Sequence, residues 1–239
     1  MSNLLPDAPV DVEALDTKDR LLDAAERLFA VRGFVGTSMR AVTQAADAAV
    51  SAANYHFGSK EALLAAVLRR RIGPINERRL EVLGRIEAQA GPGEALLLEE
   101  VLDAFFRPSF EQFERAREEG RGSFPRQVAA RLYTDPPETV EKLKAEVFAE
   151  VNERFRSAFS RALPGAPPSR VRLVQHLAIA SMVHVLAGQL DEELAAMLEQ
   201  EARDSEASYE PLLGALVAQA AAGARAFLGS GAAAAGESR

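Results

Sequence analysis

The chain has no cysteine and only three histidines. Without thiols there can be no disulfide, no cysteine nucleophile and no cysteine-ligated zinc finger. Two of the histidines, His176 and His184, lie eight residues apart in one helical stretch. That spacing puts them about 80° apart around the axis, and no third ligand accompanies them, so no metal site is expected. A buried histidine bonded to a neighbour and a polar contact to a ligand or partner subunit are the readings left for them. There is also no phosphate-cradling glycine loop and no nucleophile motif, so neither an enzyme nor a cofactor is expected. Beyond residue 60 nothing alternates apolar and polar as a half-buried strand would. The most apolar stretch, residues 171–188, is interrupted by Arg172, Gln175, His176 and His184 and does not read as membrane-spanning. The first residues lack the basic-then-apolar pattern of a secretory signal. A cytoplasmic location with no membrane partner is therefore expected.

What is present is helical periodicity. From Thr17, read as an N-cap, the apolar residues Leu21, Leu22, Ala25, Leu28 and Phe29 recur at three- and four-residue steps, the mark of a helix with one buried face. Gly33 supplies a stop. Thr37 or Ser38 caps a short second helix whose inward positions are Met39, Val42 and Ala45 or Ala46. Asp47 falls at a turn, and a third short helix runs to about His56. Phe57-Gly58 breaks it, and Ser59 caps a fourth. Two short helices across a tight turn, braced by a longer one, form a helix-turn-helix, whose second helix can enter a major groove. The alternative is a plain helical hairpin inside an all-α core.

The stretches Leu21 to Phe34, Thr37-Ser38-Met39-Arg40 and Asn54-Tyr55-His56-Phe57-Gly58-Ser59-Lys60-Glu61-Ala62-Leu63 closely resemble the DNA-binding domain of TetR-family regulators. The resemblance covers residues 17–70. It implies an all-α dimer with a three-helix helix-turn-helix domain and a larger helical domain for effector binding and dimerisation. By position it implies a DNA-contacting set of Thr37, Ser38, Arg40, Val50, Ser51, Ala52, Tyr55, His56 and Lys60. Val50, Ser51 and Ala52 would form the outward face of the recognition helix, with Arg40 the one long base reader. Tyr55, His56 and Lys60 would hold phosphates. The chain departs from the family's usual Gly-Val-Ser turn, having Asp47-Ala48-Ala49. Asp tolerates a left-handed turn, but Ala49 lacks a capping hydroxyl, which costs about 1 kcal/mol.

The formal charge is −7, yet residues 17–85 hold 12 Lys and Arg against 7 Asp and Glu, leaving the deficit in the rest of the chain. A basic head on an acidic body suits an operator binder, although charge runs are more often solvated faces. The expected domains are a disordered tail at 1–16, the head at 17–62, the body at 63–228 and a loose tail at 229–239. Body helices are expected near 60–89, 94–118, 125–133, 137–162, 168–190, 191–203 and 209–228, punctuated at Gly91-Pro92-Gly93, 120–125, Asp135-Pro136-Pro137, 164–168 and Pro211.

Eight of the 12 phenylalanines fall between Phe105 and Phe159. Phe106, Phe110 and Phe113 share one helix face, and Phe148, Phe155 and Phe159 another. Two such stripes can line an apolar pocket or can be plain core. The pocket reading makes Phe106, Phe110, Phe113, Phe148, Phe155 and His176 the ligand-binding candidates. The helices near 169–188 and 209–228 are rich in small residues such as Ala178, Ala180, Ala187 and Ala220, which let helices approach closely. The TetR resemblance implies that these two build the dimer interface, with packing inside one chain as the alternative. The Asn54–Lys60 segment, a break at Gly73-Pro74-Ile75 and Arg131-Leu132-Tyr133 are similar to the fatty-acid-responsive branch of the family, which implies an acyl or acyl-CoA effector. The function expected is a ligand-responsive repressor binding a palindromic operator as a dimer. The alternative is a helical adaptor that has lost DNA binding.

Overall fold

The computed structural model describes residues 12–118, 138–187 and 209–236, with isolated helical positions between 193 and 200. Among these residues the regular structure is wholly helical: α1 (Val12–Arg32), α2 (Met39–Ala45), α3 (Val50–Phe57), α4 (Lys60–Ala90), α5 (Leu98–Glu118), α6 (Glu138–Ala162), α7 (Pro168–Leu186) and α8 (Glu210–Gly236). The expected helix at 125–133, most of that at 191–203, the breaks at 120–125 and 135–137, and Arg131-Leu132-Tyr133 lie outside the described residues.

Two compact units divide the chain after Leu68, past the expected boundary at 62. Leu63, Leu64, Val67 and Leu68, all buried, fall in the first unit, which extends the head by two turns of α4. Three expectations are corrected. Thr17 is not an N-cap: α1 starts at Val12, and the Thr17 hydroxyl accepts a bond from Arg20 Nη2 at 3.2 Å. Gly73-Pro74-Ile75 does not break α4, which runs through Pro74. A proline removes its own N–H without forbidding the turns on either side, and the residues just beyond it are fastened: Asn76 Nδ2 donates to Val147 O at 3.2 Å. The segment after Leu228 is helical to Gly236, in keeping with the high helix propensity of its four consecutive alanines. Among the described residues one helix, Glu210–Leu228, is long and apolar enough to cross a membrane, with 22% of it buried, and the stretch at 171–188 is not such a helix, as expected.

In the first unit α1, α2 and α3 pack pairwise. Leu21, Ala24, Ala25, Val42, Ala53, Leu63 and Val67 are fully buried there, and Ala46 rather than Ala45 is the inward residue at the end of α2. Gly33 and Gly58 end α1 and α3 in the left-handed region, at φ 70° and 74°, which side chains disfavour.

In the second unit α5 packs on α6, α7 and α8, and α7 on α6 and α8. The phenylalanines are mainly core. Phe106, Phe155 and Phe159 are fully buried, and Phe105 meets Phe155 edge-on with centroids 4.9 Å apart. Phe113 and Phe148 pack against that cluster half-buried. The core encloses a guanidinium. Arg79 is 2% exposed; its Nε donates to Phe105 O at 2.8 Å, its Nη2 to Ser109 Oγ at 2.8 Å, and its guanidinium sits 4.3 Å from the Phe105 ring centroid. Pro108 lies in the same turn of α5 and cannot donate to Ala104 O. Arg79 bonds the next carbonyl, Phe105 O, rather than the Ala104 O that Pro108 leaves without its helix donor. At the periphery Arg107 bonds Asp103 on its own helix and Glu210 at the start of α8. Tyr209 beside them has its phenol pushed up, first by burial and then by Glu111 and Glu210.

Phe155→Ala should cost about 3–5 kcal/mol, because it opens a cavity in a packed ring cluster. Phe113→Ala, at a half-buried position, should cost clearly less. Urea unfolding followed by circular dichroism measures both.

Candidate nucleic-acid interface

Helices of seven and eight residues do not persist alone, so α2 and α3 depend on their caps and on α1 and α4. Ser38 caps α2: its Oγ accepts from Ala41 N at 3.1 Å. Asp47 takes φ 50° at the turn between the helices, the left-handed conformation expected of it. Its carbonyl accepts from Arg20 Nη1 of α1 at 3.3 Å. Ala49 precedes α3 with no side-chain cap, as its missing hydroxyl requires. Ser59 caps α4 through Ala62 N at 3.1 Å.

Two of the candidate residues face inward. Thr37 is 2% exposed, and its hydroxyl donates within α1 and its end, 2.8 Å from Gly33 O and 3.2 Å from Leu28 O. Lys60 is half-buried; its ammonium donates to Phe34 O at 2.9 Å and Thr37 O at 3.0 Å, and lies 4.2 Å from the Phe34 ring centroid. Two of its three protons therefore brace the α1–α2 loop, and one remains. Both side chains brace the head through carbonyls, and Lys60 keeps one donor that those bonds do not use.

The outward face is made by others. Arg40 and Gln44, four apart on α2, are exposed. On α3 the exposed positions are Val50, Ser51, Asn54 and Tyr55, and Tyr55 is 85% exposed. Ala52 is half-buried, which corrects the expected run of Val50, Ser51 and Ala52. Residues 100° apart cannot keep three in succession on one narrow face. His56 is half-buried and meets the Tyr55 ring edge-on with centroids 5.2 Å apart. Asn54 and Gln44 were missed, though counting three and four from Ser51 and Arg40 would have found them. The surface offers a guanidinium, two amides, two hydroxyls and a phenol. This is a set suited to phosphate oxygens and base edges, with no acidic group within α2 or α3.

In the second unit Phe106, Phe110 and Phe155 are buried. His176 is exposed on α7 and does not join them, and His184 is exposed too. The groove that opens between α7 and α8 is lined instead by Val174, Leu177, Ala178, Ala220, Gly223 and Phe227, among others. Among the described residues no group of three metal-ligating side chains occurs.

A helix-turn-helix head followed by a larger all-helical unit defines a class of DNA-binding regulator. The model of the bacterial regulatory proteins of the tetR family matches residues 21–67, and that of the tetracyclin repressor-like C-terminal domain matches residues 103–223. The chain belongs to the TetR family of transcriptional regulators. Members of this family are generally non-enzymatic DNA-binding proteins. Similar folds include a tetR-family transcription regulator from Shewanella sp. PV-4, 18% identical, with 83% of this chain and 97% of that one covered and a TM-score of 0.54. AmtR of Mycobacterium smegmatis is 21% identical over 94% of this chain and 98% of its own, at 0.50. The fatty acid degradation regulator FadR of Bacillus halodurans is 15% identical over 85% and 97%, at 0.50. No curated protein matches the chain in sequence.

Lys60→Met should destabilise the DNA-free protein, since a hydrogen bond to a charged donor is worth about 1.5–3 kcal/mol and two are lost. Thermal denaturation without DNA reads this. An unchanged melting temperature would show that the clasp contributes nothing.

Proposed function

We propose that this chain is a ligand-controlled repressor that binds a palindromic operator in the cytoplasm as a homodimer. The observation that carries the reading is the exposed, acid-free surface of α2 and α3, on which Ser38, Arg40, Ser51 and Tyr55 all project. Tyr55 is 85% exposed and its ring meets the adjacent His56 edge-on. The roles divide as base reading by Arg40, Val50 and Ser51, and phosphate contact by Ser38, Tyr55, His56 and the third proton of Lys60. Thr37 supports the loop rather than touching DNA. A helical adaptor would have no use for this surface.

Two copies join through α7 and α8. In support, Leu173 and Leu177 are exposed, the groove beside them is lined by Ala178, Ala220 and Gly223, and only 22% of the apolar stretch Glu210–Leu228 is buried within the chain. Small residues let a second pair of helices approach closely.

The effector is a small apolar molecule held in the second unit, and a long acyl chain is the specific candidate. It acts by shifting the dimer towards a head spacing that does not fit successive major grooves, limited by its differential affinity for the two states. Support for the acyl chain is thinner than for DNA binding, because Phe106 and Phe155 are consumed as core.

A duplex selected from a random library by the full-length protein should be palindromic. On it, Tyr55→Phe should weaken binding to all sequences alike, while Arg40→Ala flattens preference at particular positions. Acyl chains should release the complex with affinity gaining about 0.8 kcal/mol per methylene until the site is full. No response at any length would remove the acyl effector and leave the repressor. Leu177→Glu and Ala180→Asp, both at exposed positions, should give folded monomers by sedimentation. Leu216→Asp, at a buried position, should unfold the chain.

A further inference from the structure

Asn54 sits in the middle of α3, between Ala53 and Tyr55. Asparagine is a poor helix-interior residue, about 0.6 kcal/mol worse than alanine, because its side chain competes for backbone bonds. Structural asparagines recover that cost by bonding. Asn76, in α4, does so: its amide donates to Val147 O at 3.2 Å and accepts from Arg79 Nη1 at 3.1 Å. Asn54 does not. Its side chain is exposed and bonds no group among the described residues, and its backbone carbonyl accepts from Gly58 N at 2.9 Å. A local cost with no structural return, on the exposed face of a recognition helix, points to a partner outside the chain.

Its neighbours narrow what that partner is. Val50 offers only methyls, which can meet a thymine methyl. Ser51 offers one hydroxyl, which bonds most base edges without discriminating. Tyr55 carries its polar atom at the end of a long ring. Asn54 alone on this face presents a donor and an acceptor side by side in one plane. The major-groove edge of adenine presents their complement, an N6 donor beside the N7 acceptor. Guanine shows two acceptors there, cytosine only a donor, and thymine an acceptor and a methyl. Along the axis Asn54 is about 4.5 Å from Ser51, a little over one base-pair step.

We propose that Asn54 is the discriminating base reader of α3 and selects an adenine in each half of the operator. This rests on the DNA-binding reading above.

The test uses the full-length protein and the duplex it selects from a random library. Each adenine of the half-site is replaced in turn by 7-deazaadenine, which lacks the N7 acceptor. At one adenine per half-site the unmodified protein should lose about 5- to 150-fold in affinity, the range a bidentate base contact supplies. Asn54→Ala should bind the natural duplex more weakly by a similar factor and be indifferent to the deaza substitution there. Asn54→Gln should keep the adenine preference, whereas Asn54→Asp, now only an acceptor, should move it towards cytosine. Asn54→Ala should melt at the same temperature or slightly higher, so that a lost preference is not a lost fold. If Asn54→Ala weakens every duplex by one factor and no adenine couples to residue 54, the assignment is overturned while DNA binding stands. If the unmodified protein enriches no duplex at all, the DNA-binding reading fails first and takes this one with it.

Discussion

The head depends on how its helix-end carbonyls are satisfied. Three helices of 21, 7 and 8 residues meet with Ala24, Ala25, Ala46 and Ala53 between them, so they bury little apolar surface per residue. Helices as short as α2 and α3 gain too little from their own backbone bonds to persist. Side chains on the longer helices therefore bond the connecting carbonyls: Arg20 of α1 reaches Asp47 O, and Lys60 of α4 reaches Phe34 O and Thr37 O. Thr37 closes the same loop from within. With both ends of α2 fixed in this way, the outward face of α2 and α3 is left with no structural duty.

The second unit meets a similar problem with a different solution. Pro108 leaves α5 one donor short inside a packed core. Arg79 bonds the neighbouring Phe105 carbonyl while bridging Asn76, Ser109 and the Phe105 ring. Placing a cation in a hydrophobic interior is costly unless its donors are bonded, and here they are. The consequence for function is that the central phenylalanines are packed around this cation and against each other. What is left uncovered is the α7–α8 side, where apolar helices have leucines and small residues at the surface. An acidic body thus carries an apolar face, and a head of opposite charge balance carries a polar one.

The recognition helix is economical in the same sense. With Ala52 and Ala53 turned towards the head and no hydroxyl cap at Ala49, α3 has few side chains that can speak to DNA. Discrimination by such a surface falls on the few groups with directional hydrogen bonding, and DNA shape and phosphate contact carry the remainder.

Much of this was legible in the sequence. The three- and four-residue spacing of Leu21, Leu22, Ala25 and Phe29 fixed a buried helix face, Gly33 and Gly58 fixed helix ends, and Asp47 fixed a left-handed turn. Each follows from local rules of periodicity and backbone sterics that hold whatever the surroundings. The direction taken by groups of dual use was not legible. A hydroxyl or ammonium bonds a carbonyl as readily as a phosphate, so the residue types at Thr37 and Lys60 could not tell an inward brace from an outward contact. Phenylalanine stripes on two helices serve a pocket and a core equally well, and only the 4.9 Å meeting of Phe105 with Phe155 and the burial of Phe106 decided for core. His176 could have joined them and is exposed instead. The amino-acid sequence by itself determined the helices, the turn and the family; tertiary structure decided which polar groups were spent on holding the head and which were left over for DNA, because that depends on which carbonyls other helices bring within reach.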